Sequence, residues 1–120
     1  MPLVTLVLAN GPGFPLGSAD HRYELSVALT PGGQLDVAAW LADPEPWPAT
    51  RYRPGEAPRP GDVQWDEEGG WSLRIFAQGS SADAPLQAQI RNAGQLRPGE
   101  YLTIQDQGGP EFSWRVVSTT

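Results

Sequence analysis

Apolar residues recur at every second position through most of the chain, and no stretch holds helical spacing for three turns. Residues 2–9 are almost continuously apolar, as in a strand covered on both faces or engaged in a subunit contact. Over 22–30, Tyr23, Leu25, Val27 and Leu29 share one face, while Glu24 and Ser26 share the other. A Thr30-Pro31-Gly32-Gly33 turn then leads to alternating Leu35, Val37, Ala39 and Leu41, so the pattern predicts a hairpin over 22–41. The runner-up for 35–42 is one or two helical turns, because Ala38, Ala39 and Leu41 are compatible with a helix.

A second hairpin is predicted from 63–66 and 71–76 across Glu67-Glu68-Gly69-Gly70, followed by a strand over 86–91. A third pairs 101–105 with 112–117 across Gly108-Gly109-Pro110, letting Leu102 and Ile104 meet Phe112, Trp114 and Val116. Trp65, Trp71 and Trp114 fall on the apolar faces of these strands and are expected inside. Short strands at this spacing predict an all-β fold: a single-domain antiparallel β-sandwich of about seven to eight strands, with a small β-barrel as the alternative. One domain is expected to span residues 1–120.

The 13 prolines and 14 glycines act mainly as punctuation between these segments. Arg53-Pro54-Gly55-Glu56, Arg59-Pro60-Gly61-Asp62 and Arg97-Pro98-Gly99-Glu100 repeat one motif, in which proline and glycine suit the central positions of a type II turn. Each is read as a turn. Residues 43–62 carry six prolines and are read as a long Pro-rich loop; residues 10–21 are read as a second loop.

Composition removes several chemistries. The chain has no cysteine, which excludes disulfides, thiolate nucleophiles and thiolate metal sites. All eight cationic side chains are arginine, so a Schiff-base or phosphate-loop lysine is absent; with the abundant alanine, glycine and proline, this usage suggests a GC-rich bacterial gene. His21 is the only histidine. A net charge of −6 disfavours nucleic acid and anionic lipid as partners. The longest apolar run is too short for a transmembrane helix and lacks a basic leader, so a cytoplasmic location is expected.

Three clusters could carry chemistry. Ser18, Asp20 and His21 have triad residue types, but sit too close in sequence to converge as a triad usually does. The acidic residues around 62–68 lack the alternation of a calcium loop and read as solvated turn carboxylates. On the Pro-rich loop, Trp47, Arg51, Tyr52 and Arg53 combine rigid rings with bidentate cations, and Trp40 marks a possible contact face nearby.

These five residues are the candidate ligand- or partner-binding set, with no catalytic residue, metal or cofactor assigned. The function expected is a noncatalytic binding or assembly module that meets a protein partner or itself; a small-molecule or sugar ligand is also compatible. Two rivals are a carbohydrate-binding module, which needs Trp47, Tyr52 and Trp40 on one exposed platform, and a small hydrolase or isomerase, which needs two converging carboxylates.

Overall fold

A computed structural model of the chain describes residues 1–76 and 86–120. Its elements run β1 Leu3–Asn10, β2 Ser18–Ser26, α1 Val37–Ala42, β3 Trp47–Tyr52, β4 Arg59–Asp66, β5 Gly70–Ile75, β6 Leu86–Arg91, β7 Tyr101–Asp106 and β8 Glu111–Thr119. Every strand pairs antiparallel with its sequence neighbour, and β1 pairs with β8, so the sheet closes into a barrel. The fold is all-β as expected, in the second of the two architectures. Closure gives both end strands a partner and leaves no open edge to template further pairing. No helix among the described residues is long and apolar enough to cross a membrane.

The two-residue period selects what fills the interior. Val4, Leu6 and Leu8 of β1 point inward with Tyr23 and Leu25 of β2, Val63 of β4, Leu73 and Ile75 of β5, Ala88 and Ile90 of β6, Leu102 and Ile104 of β7, and Trp114 and Val116 of β8. The nearly continuous apolar run at the start is therefore a strand paired on both sides, with one face in the core.

One end of the barrel is closed by its loops. Leu35 and Leu96 are buried there, and Leu96 N–H donates to the Gly33 carbonyl at 2.8 Å, tying the β2–β3 and β6–β7 connections together. Trp47 is fully buried at this end and stacks on Trp71 with centroids 5.7 Å apart. Trp114 is buried as expected, whereas Trp65 and Trp71, near the end of the interior, are half-buried.

Three local expectations are corrected. The hairpin over 22–41 is reduced to a turn with a single Leu29–Leu35 bridge, after which residues 37–42 form α1. Asp36 stops the strand by capping this helix, its Oδ1 accepting Ala39 N–H at 3.0 Å, so the runner-up reading holds. The loop over 10–21 is shorter than expected because β2 begins at Ser18; its register jumps from Arg22 opposite Val7 to Ser18 opposite Leu8, and residues 19–21 bulge between them.

The largest correction concerns residues 43–62, which hold β3 and the start of β4 rather than one loop. Pro48 lies one residue beyond the β2–β3 ladder, and Pro60 one residue beyond the β4–β5 ladder. Both lie inside the β3–β4 ladder, opposite Asp62 and Thr50, and on their other flank the regular pairing has just ended, which is where a proline without an N–H disturbs a sheet least. Arg59-Pro60-Gly61-Asp62 is accordingly strand, while its two sister motifs are turns with Gly55 and Gly99 at φ 75° and 93°.

Candidate functional site

Among the described residues the end opposite the plugged one is left open, and it gathers polar side chains from strands far apart in sequence. Two lobes of about 250 Å³ and about 210 Å³ meet there, sharing Tyr23, Arg53 and Asp106 as walls. Leu8, Phe14, Pro110, Phe112 and Trp114 give the larger lobe an apolar lining, and Arg51 and Gln87 border the smaller.

Local strand geometry explains how these groups converge. Arg51 has the same parity on β3 as Trp47 and Ala49, so its side chain enters the interior two residues above Ala49 and directly across from Tyr23. Arg53 follows on the same parity just past the strand end. Asp106 closes β7 opposite Ala88, and Trp114 lies across from Leu8 and Leu102. The Tyr23 ring meets the Trp114 indole edge-on, with centroids 4.8 Å apart and planes at 62°.

The electrostatics are unusual for a barrel interior. Arg51 is only 6% exposed, and its nearest carboxylate, Glu56, stands 3.7 Å away while also reaching Arg59 at 3.9 Å. Burial, then the like charge of Arg53, lowers the Arg51 pKa from its ordinary value, yet an arginine remains a cation at any physiological pH. Arg51 Nε and Trp114 Nε1 are both buried, and among the described residues neither has a hydrogen-bond partner. Burying an unpaired donor costs about 1–3 kcal/mol. Among the described residues the Tyr23 hydroxyl also has no hydrogen-bond partner, and no carboxylate lies within ion-pair distance of Arg53. Burial foremost, followed by Asp106, pushes the Tyr23 pKa up to about 12, so the phenol keeps its proton and can donate.

The structure divides the five predicted residues. Arg51 and Arg53 come together at the mouth. Tyr52, between them, points the other way, donating to Glu24 Oε2 at 3.3 Å and lying under the Arg22 guanidinium. Trp47 is interior, its Nε1 donating to Asp43 at 3.1 Å. Trp40 sits on α1 and donates from Nε1 to the Val63 carbonyl at 3.1 Å. The three rings thus form no common platform.

Sequence reasoning missed Tyr23, Asp106 and Trp114 as candidate site residues, because Tyr23 and Trp114 read as ordinary strand positions and Asp106 as a carboxylate near a turn. The available signal was Arg51 itself, a charged side chain on the parity of Trp47 and Ala49. His21 lines the larger lobe from its bulge, bonded through Nδ1 to Ser18 Oγ at 2.9 Å and edge-on to Phe14. Asp20 is exposed and makes no hydrogen bond with that imidazole, so the triad types do not assemble. Among the described residues no group of three His, Cys, Asp or Glu side chains could hold a metal ion.

No family model, curated protein or solved structure matches the chain.

Proposed function

We propose that the protein is a noncatalytic binding module that takes a small molecule into the open end of its barrel. The observation that carries this reading is the pair of buried, unpartnered donors, Arg51 Nε and Trp114 Nε1, on side chains lining one mouth. Folding alone gains nothing from leaving such donors unpaired, whereas a ligand acceptor would offset their desolvation after a small rotation of either side chain. An eight-stranded barrel has an interior of the size that either fills with side chains or holds one small ligand. Here the plugged end follows the first pattern and the open end the second.

The rival readings have less support. A sugar platform would need exposed rings, and Trp47 is fully buried. Carboxylate catalysis would need a second acid, and among the described residues Asp106 is the lone carboxylate lining the two lobes. Residues around the mouth combine apolar walls with few, directed polar groups, as small-molecule sites do.

Two fluorescent probes test the reading: N-phenyl-1-naphthylamine and its 8-sulfonate, which share one ring system. Saturable binding of either, at one per chain, should move the indole N–H resonance of Trp114 in a ¹H–¹⁵N spectrum while leaving that of Trp65 near the plugged end in place. Absence of saturable binding by both, or a shift confined to the other indoles, would overturn it.

A further inference from the structure

We infer that the ligand is an organic anion: an acidic oxyanion head, such as a carboxylate, on a planar apolar body that also carries a hydrogen-bond donor. The inference rests on the open end being the ligand site, and adds the ligand's charge and shape.

The head is dictated by an excess of donors. Guanidinium and indole N–H groups donate and never accept, so Arg51, Arg53 and Trp114 can be completed only by acceptor atoms. Tyr23, held protonated at neutral pH, adds a fourth donor to the same wall. The protein supplies little to answer them. Glu56 is divided between Arg51 and Arg59, and no carboxylate among the described residues pairs with Arg53. A neutral acceptor would satisfy one N–H at a time, whereas an oxyanion presents several lone pairs and a charge to two guanidinium groups that otherwise repel each other.

The body follows from the rest of the lining. Phe14, Phe112 and the Tyr23–Trp114 edge contact make a lobe of about 250 Å³ whose walls offer ring faces and edges. A bare inorganic anion would leave that surface wet, and a flexible polar chain would lose more entropy there than a flat ring system. Asp106, which borders both lobes, is the group that would repel an anion, and it sets the orientation: the acid head goes to the arginines, and a hydroxyl or amino donor on the body goes to Asp106.

The same two probes decide the matter, because both carry the anilino N–H and differ only in the sulfonate. The sulfonate is expected to bind roughly tenfold or more tightly than the neutral probe, the range of one charge-assisted hydrogen bond. Arg53→Met, at the rim, and Arg51→Met, inside, should each reduce that preference, and the double variant should abolish it while still binding the neutral probe. Near-UV circular dichroism checks that each variant keeps native packing, and Arg53→Met suffices if Arg51→Met does not fold. Equal affinity for the two probes, or a preference that survives Arg53→Met unchanged, overturns the anion inference while leaving the site intact. Failure of both probes to bind removes the site and the inference together.

Discussion

Tyr23 and Arg51 stand directly opposite each other on β2 and β3, both turned into the barrel and both almost wholly withdrawn from solvent. The pair sets a phenol against a guanidinium in an interior otherwise filled by aliphatic and aromatic groups. Each perturbs the other: the cation favours the phenolate, while burial disfavours charge on either.

Burial prevails at Tyr23, which gives a pH signature. An unfolded chain loses the phenolic proton near pH 10, whereas the folded one keeps it until about 12. Between these values the native state binds more protons than the unfolded state, so stability falls as pH rises, by roughly 2–3 kcal/mol in full. Below pH 10 the phenol contributes no pH dependence. Urea denaturation at stepwise alkaline pH should show a shallower decline for Tyr23→Phe than for the parent chain. Parallel declines would mean that the phenol titrates alike in both states.

A second polar pair lies on the outer face. Arg74 grips Asp62 bidentately, with Nε to Oδ1 at 2.8 Å and Nη2 to Oδ2 at 2.5 Å, across the β4–β5 ladder. The Asp62 side chain is 5% exposed, while the arginine still meets solvent. Removing the arginine strands a buried charge, so Arg74→Met should destabilise by about 2–4 kcal/mol. Adding Asp62→Asn to that variant should recover most of the loss in chemical denaturation. A double variant no more stable than Arg74→Met would show that packing, not the orphaned charge, sets the penalty.

The repeated Arg-Pro-Gly-acid motif offers an internal control. Gly61 lies within β4, where an added Cβ would collide with the Arg74 backbone carbonyl, and backbone cannot move aside cheaply. Gly55 sits at φ 75° with open space around it. Gly61→Ala should therefore lose about 1–3 kcal/mol or more through overpacking. Gly55→Asn should be nearly neutral, since asparagine tolerates the left-handed region. Equal thermal shifts for the two substitutions would argue that both motifs are turns.

The failure to see β3 in the sequence has a definite cause. Proline density marks loops when prolines sit where ladder bonds are needed, but Pro48 and Pro60 each fall just past the ladder on one flank while pairing within β3–β4 on the other, and no local pattern reveals where a neighbouring strand stops pairing. The short helix was ambiguous for a related reason. Leu35, Val37, Ala39 and Leu41 alternate like a strand, yet Asp36 can cap, and the pairing with the preceding segment ends at the Leu29–Leu35 bridge and the Asp36 N–H bond to the Ala28 carbonyl.

The candidate site was half legible. Arg51 and Arg53 were visible as unusual charges beside rings, but Trp47, Tyr52 and Trp40 drew attention away from the interior. Parity separates them: 51 and 53 point inward, 52 outward.

By itself the sequence determined the period-two alternation, and with it an all-β chain whose strands each have an apolar face, because side chains on a strand alternate regardless of what the strand pairs with. It also set the turn at 108–110 and the absence of cysteine and lysine chemistry. Only the tertiary structure decided that β1 meets β8, and that choice separates a sandwich from a barrel. Closure brings Tyr23, Arg51, Asp106 and Trp114, spread over more than eighty residues, to one mouth. Strand register is a property of pairs, so no single segment could state which inward positions would share an end of the barrel, or that donors gathered there would lack acceptors among the described residues.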